Sequence, residues 1–343
     1  VTQAMEFAII GTGRMGRSHI LAARDLGHTL VAACDRSAEQ IGRIGVEFGL
    51  PQERRFTDAD ELFRAVNAPL VLIATTADTH ADLVVKAAEN GARFILCEKP
   101  MATSLADCDR MLAACAARGV RLAINHQMQF MPQYLAVKRL IEGDRLGPLG
   151  SMNVVGGCFG IAMNGSHYFE AFRFLTGSRM RSVSAWFAPE QIGNPRGPQF
   201  RDESGALLAL GENGKRFQLS AGNDQGHGMT VTYATAYGHI ICDELEGVLT
   251  VTARKPEHRG LPPTRYGMPC DRWEERFQAL DNVGATRPVL SALTSGEPFP
   301  DGVRGRDVVR ALVGCYLSAE NGGRQVSLDD ELGKVSERVF AWA

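Results

Sequence analysis

The chain lacks the short signatures of metal and thiol chemistry. Its eight cysteines form no C-x-x-C pair, and its eight histidines are scattered with no H-E-x-x-H. That argues against a zinc site and against a dithiol redox pair, and predicts reduced, buried thiols. Neither sign of charge dominates: 37 basic and 39 acidic residues leave a net charge of −2. Without a basic field, neither nucleic acid nor anionic lipid is an expected partner. No apolar run approaches the roughly 20 residues of a membrane span. The opening VTQAM is too short and too polar for a signal peptide. Internal repeats and low-complexity tracts are also missing. These absences leave a cytoplasmic globular chain, and 343 residues suffice for two domains.

What is present begins with AIIGTGRMGRSHILAARDLGHTLVAACDR. Residues 7–10 read as a buried strand. Gly11, Gly13 and Gly16 follow with G-x-G-x-x-G spacing, and 15–26 has helical periodicity, with Ile20, Leu21, Ala23 and Leu26 on one face. Gly27 stops that helix, 30–33 forms a second strand, and Asp35 stands at its end, about 20 residues after the glycines. Gly11 would permit the tight turn, Gly13 the approach of a pyrophosphate, and Gly16 close packing of helix on strand. The phosphates would meet N–H groups at the helix start, contributed by Arg14 and Met15, while Asp35 takes the ribose hydroxyls. Asp35 points to NAD, because a carboxylate repels a 2′-phosphate; Arg36 beside it keeps NADP open.

The rest of the first third keeps alternating. A helix is expected over 38–48, strands over 70–74, 94–97 and 120–124, and helices over 79–90 and 105–118. Such alternation implies right-handed crossovers and a doubly wound parallel sheet. Thr75, Glu98, Lys99 and Asn125 each follow a strand, at the edge where such sheets bind ligands. His80 is placed at the cofactor edge or in a structural role, and Asn125, His126 and Gln127 at the pocket. From about residue 150 the pattern changes to strands over 151–155, 181–187, 206–210, 216–221, 230–237, 239–242 and 248–252, interrupted by a helix over 168–175. Asn213-Gly214 is a hairpin turn, and 193–198 and 260–269 are loops. Long helices are expected over 271–293 and 303–319. The reading is therefore α/β: a Rossmann domain over 1–124, then an α+β domain over 125–343 with a large, mainly antiparallel open sheet.

A second informative stretch is LCEKPMATSLADCDRML, where Glu98-Lys99-Pro100 follows a strand and proline restricts the lysine's backbone. At this point the chain resembles the glucose–fructose oxidoreductase / inositol dehydrogenase / MocA-like NAD(P)-dependent oxidoreductases (Gfo/Idh/MocA). The shared stretches are GTGRMG, E-K-P, TADTHADLVVKAAENG, FMPQYLAVKRLIEGDRLGPLG, GSHYFEAFRFLTG and CYLSAENGGRQVSL. They cover nearly the whole chain in order.

The resemblance implies hydride exchange with a secondary alcohol or ketone of a sugar, polyol or sugar derivative, in a homodimer or homotetramer. It assigns Lys99 to the reacting hydroxyl and His167 to acid/base chemistry; Asn125, Gln127, Asn164 and His167 are the candidate substrate contacts. The family's D-x-G-x-H pattern is M-N-G-S-H here, so Met163 stands where relatives carry aspartate. The expectation is that His167 works without that carboxylate. Many relatives have arginine where Gln129 stands, and Arg173 and Arg201 read as surface charge. A non-catalytic dinucleotide sensor, or a reductase of a non-sugar substrate, is the alternative reading.

Overall fold

The computed structural model describes residues 4–157, 159–190, 193–226, 228–262 and 268–342. In chain order the first elements are β1 (Glu6–Ile10), α1 (Arg14–Asp25), β2 (Thr29–Cys34), α2 (Ala38–Phe48), β3 (Arg55–Phe56), α3 (Ala59–Ala65), β4 (Leu70–Ile73), α4 (Ala77–Glu89), β5 (Phe94–Cys97), α5 (Leu105–Arg118) and β6 (Arg121–Ile124). Then come α6 (Pro132–Glu142), β7 (Leu149–Gly157), α7 (Ser166–Thr176), β8 (Met180–Phe187), β9 (Gly205–Gly211), β10 (Arg216–Gly222), β11 (Met229–Thr235), β12 (Gly238–Asp243), β13 (Val248–Arg254) and β14 (Cys270–Arg276). The described chain finishes with α8 (Asn282–Ser295), α9 (Gly302–Glu320) and β15 (Val326–Ser327).

Strands β1 to β6 form one parallel sheet in the order β3-β2-β1-β4-β5-β6. The order reverses between β1 and β4, so the ligand edge predicted from the sequence lies at their C-terminal ends. Apolar side chains run continuously along the central strands because both faces are covered; Phe7, Ile9, Leu70, Leu72, Ile95 and Leu96 are fully buried. Polar caps set the helix starts. Ser37 accepts from Gln40 N at 3.2 Å, Asp58 from Glu61 N at 3.0 Å and Ser104 from Asp107 N at 3.0 Å.

The second sheet has the order β14-β13-β12-β11-β7-β10-β9-β8-β15. Its neighbours pair antiparallel except β7 with β10, which run parallel. Burial alternates along β9 and β13, as expected of a sheet with one covered face. On the covered face Phe169 and Phe172 of α7 meet Phe217 edge-on at 5.6 and 5.8 Å. On the other face Val155, Trp186, Leu208 and Ile241 are exposed.

The chain groups into two units, and the first is discontinuous: Val1–Gln127 with Leu280–Val309 and Lys334–Ala343. The second comprises Met128–Ala279 and Arg310–Gly333. The expected single cut after 124 falls near the seam at Gln127, but residues 280–309 return to the Rossmann unit. There α8 packs on α1 and buries Ala285, Val289, Leu290 and Leu293. The C-terminal segment returns as well. Phe340 N donates to Thr103 O at 2.9 Å, and Trp342 Nε1 to Ala102 O at 3.0 Å.

One expected helix is corrected. Residues 271–293 split into strand β14 and helix α8. The stretch CDRWEER has period-two alternation, Trp273 pairs with Val251, and Asp281 restarts the chain as a cap on Gly284 N at 2.7 Å. The sequence reading passed over α3, α6 and the two-residue strand β3. Asn213-Gly214 does turn the chain between β9 and β10, with Gly214 at φ +76°. The expected loop over 260–269 lies partly outside the described residues, as does Cys158. The seven described cysteines are unbridged, and six of them are buried. Among the described residues no helix is long and apolar enough to cross a membrane.

Candidate functional site

The glycine turn shows why each glycine is needed. Gly11 has φ +85°, and a Cβ there would lie 2.6 Å from the Ala74 carbonyl. A Cβ on Gly16 would lie 2.0 Å from Gly11 O, so this glycine lets α1 close on β1. Gly13 differs: nothing lies within 4 Å of its would-be Cβ. The protein does not need that space for itself. Gly13 is the N-cap of α1, with no side-chain cap and no acid in the first turn, unlike the capped starts of α2, α3 and α5. The first N–H groups of a helix have no intrahelical acceptor and favour an anion. Arg14 is exposed and Met15 half-buried beside them.

Asp35 is oriented by the same turn. Its Oδ2 accepts from Thr12 N at 2.8 Å and Thr12 Oγ1 at 2.9 Å, and its Oδ1 from Ser37 N at 3.0 Å. A carboxylate offers about four lone-pair directions, so capacity remains for a ribose hydroxyl. Arg36 is exposed next to it. An open glycine, an uncapped helix start and an oriented carboxylate fit a dinucleotide.

At the ends of β4, β5 and β6 the predicted polar residues come together. Glu98 and Lys99 are both buried, and the Lys99–Pro100 peptide is cis. Glu98 accepts from Asn125 Nδ2 at 2.7 Å and from Lys99 N at 3.2 Å, and His19 Nε2 lies 2.9 Å from its Oε1. Burial alone would raise this carboxyl's pKa. The hydrogen bond and charge of His19, the Lys99 charge and the Asn125 amide outweigh burial and hold it well below the usual range. Glu98, expected among the cofactor contacts, is thereby fixed at the edge where β5 ends. Asn125 Oδ1 is buried with no hydrogen-bond partner among the described residues. Gln127 Nε2 donates to Thr286 Oγ1 at 3.1 Å. Burial and the charges of Lys99 and Arg304 push His126 down to about 3, against the opposing charge of Glu98, so it is neutral at physiological pH.

Thr75 and His80 belong to the same edge. Thr79 Oγ1 donates to Thr75 Oγ1 at 2.7 Å. The buried His80 ring lies between Thr75 O at 3.3 Å and Pro100 O at 3.0 Å. It links the start of α4 to the loop after Lys99, and burial lowers its pKa. His19 and Thr286 were missed in the sequence: His19 reads as one helix residue among others, and Thr286 is 161 residues from Asn125.

Asn164 and His167 belong to the second unit. Residues Ile161–Gly165 form a π-helical turn, in which Gly165 N reaches Gly160 O at 3.2 Å, and α7 continues from it. Met163, Asn164 and His167 are half-buried there. The carboxylate of Asp202, also missed, accepts from Ala162 N at 2.7 Å and from Met163 N at 2.8 Å. Behind α7, Tyr168 and Tyr134 donate to the two oxygens of Glu244 at 2.8 and 2.9 Å. Gln129 and Arg173 are half-buried and Arg201 is exposed. Among the described residues no group of three or more metal-ligating side chains is clustered.

The Gfo/Idh/MocA oxidoreductase family, with its NAD-binding Rossmann fold, matches residues 5–126. Residues 5–126 carry this family's NAD-binding fold. Known proteins extend the likeness past the matched region. A D-apiose dehydrogenase of Paraburkholderia graminis is 34% identical over 195 residues, which cover 52% of this chain and 51% of the relative. The match thus spans about half the length of that enzyme. A myo-inositol 2-dehydrogenase of Thermotoga maritima is 24% identical over 96% of this chain and 100% of its own. Among solved structures, an oxidoreductase from Agrobacterium radiobacter in complex with NAD+, L-tartaric acid and magnesium superposes with a TM-score of 0.80. It has 21% identity and covers 95% of this chain and 99% of that one. At that identity it shows a shared fold.

Proposed function

We propose that this protein is an NAD-dependent dehydrogenase that interconverts a secondary alcohol and a ketone on a sugar, a polyol or a sugar derivative. The observation that carries this reading is the pairing of a dinucleotide cradle with a buried lysine at the same sheet edge. The printed activities of the apiose and inositol dehydrogenases support the substrate class.

Gly11, Gly13, Arg14, Met15 and Gly16 would hold the pyrophosphate, and Asp35 the ribose of NAD. Bound nicotinamide supplies the hydride acceptor or donor. Lys99 presents its cation to the substrate oxygen and stabilises the alkoxide as it develops. Glu98 holds that lysine's backbone N–H, and His19 and Asn125 hold Glu98. His167 takes the hydroxyl proton in oxidation and returns it in reduction. Asn125, Gln127 and Asn164 offer amides to the remaining hydroxyls.

A second copy of the chain is the proposed partner of the uncovered sheet face. Val155 and Trp186 there are each 52% exposed, and light scattering on the purified protein would read a dimer or tetramer. The unbridged buried cysteines suit a cytoplasmic location.

The test is turnover of a panel of inositols, aldoses and sugar acids with NAD and NADP, followed by nicotinamide absorbance. Steady turnover of one class with NAD supports the reading. Tight NADH binding without turnover across the panel would replace it with a dinucleotide sensor.

A further inference from the structure

We propose that Asp202 is the positioning carboxylate for His167, supplied from a loop to the turn whose own sequence carries Met163. The inference rests on the reading of His167 as the proton-transfer residue. The segment Ile161–Gly165 precedes His167, and its first N–H groups need acceptors from outside the turn. All three come from consecutive loop residues. Ile161 N donates to Glu203 O at 2.8 Å, Ala162 N to Asp202 Oδ1 at 2.7 Å and Met163 N to Asp202 Oδ2 at 2.8 Å. One carboxylate therefore bridges two adjacent N–H groups, a charge-assisted pair stronger than neutral bonds. Asp202 is 6% exposed, so water competes little for it.

Gly160 makes the arrangement sterically feasible. A Cβ on Gly160 would lie 1.9 Å from Asp202 Cγ. The carboxylate also sits at the positive end of the helical run that carries His167, where its charge is favourable. Asp202, 39 positions from Met163 in the chain, brings a carboxylate to the backbone of that residue. Its role is to fix the backbone of the turn, and through it the place of the His167 ring. Asp202 itself transfers no proton.

The experiment compares Asp202→Ala, Asp202→Asn and Gly160→Ala with the parent protein. Asparagine keeps one acceptor and folds most conservatively; Gly160→Ala displaces the carboxylate without removing it. The His167 ring is observed by NMR with labelled histidine, its signal assigned by its loss in His167→Asn. NADH affinity is measured alongside. The His167 signal and its titration midpoint should move in Asp202→Ala and Gly160→Ala, and move less in Asp202→Asn. On a turned-over substrate, kcat should fall by about 10²-fold, the scale of a misplaced catalytic group, with NADH affinity within about two-fold. An unmoved His167 signal in Asp202→Ala and Gly160→Ala overturns the proposal, even if kcat falls. The reading of His167 is judged separately: wild-type turnover in His167→Asn would defeat it whatever the NMR shows.

Discussion

His19 Nε2 lies 2.9 Å from Glu98 Oε1, so the helix that follows the glycine turn is tied to the residue before Lys99. Both side chains are buried, and Asn125 completes the set at 2.7 Å. Glu98→Gln should destabilise the protein by about 2 kcal/mol, the range for a hydrogen bond to a charged group. The folded Glu98 carboxyl is held below its unfolded value of about 4.3, so its stabilisation is present above that pH and lost as pH falls through the folded value. Urea unfolding across the acid range checks this. The parent should lose stability below about pH 4, and Glu98→Gln should flatten that part of the curve.

His126 gives a dependence in the next window. A histidine pushed down to about 3 binds no proton when folded, while the unfolded chain takes one below about 6.5. The unfolded state then binds more protons, so stability falls as pH drops from about 6.5 toward 3. His126→Gln should remove that slope. A stability profile that keeps the same slope in the variant would show that another group titrates there.

Two glycines separate folding from binding. Gly16→Ala drives a Cβ to within 2.0 Å of Gly11 O, and should lower the unfolding temperature sharply. Gly13→Ala meets no protein atom within 4 Å, and should cost about 1 kcal/mol or less of stability while weakening NADH binding. Calorimetry with and without NADH distinguishes them. Undiminished NADH affinity in Gly13→Ala would mean that the pyrophosphate lies elsewhere.

Asp35 should set cofactor choice. With Thr12 and Ser37 orienting it, Asp35→Ala should weaken NAD by far more than NADP. Titration of both reduced cofactors gives the ratio, and an unchanged preference would remove Asp35 from ribose recognition.

Lys99 and His167 should affect chemistry more than cofactor affinity. Lys99→Met should lower kcat by about 10²-fold or more, the scale of a lost charge stabiliser, with NADH binding within a few-fold. His167→Asn should lower kcat by about 10²- to 10⁴-fold and abolish the rise of the oxidation rate with pH that a histidine base produces. The pH dependence of kcat/KM, with a substrate deuterium isotope effect to confirm the chemical step, reads both. A retained pH dependence in His167→Asn would assign the base to another group.

The sequence by itself determined the elements whose cause is local. Apolar runs bounded by glycine, proline or polar residues gave the parallel strands β1, β2, β4, β5 and β6, because a strand buried on both faces needs no polar alternation. The glycine spacing and Asp35 were legible because steric need at Gly11 and Gly16 is a property of the backbone itself. Where two periods competed, local reading failed: the charged stretch 271–276 pairs as a strand only because β13 lies beside it. The polar partnerships were decided by tertiary structure. Glu98 with His19, Asn125 with Thr286, and Asp202 with the Met163 backbone join segments far apart in the chain. A buried carboxylate must find donors wherever the fold brings them, and sequence spacing holds no record of which distant N–H or ring nitrogen that is.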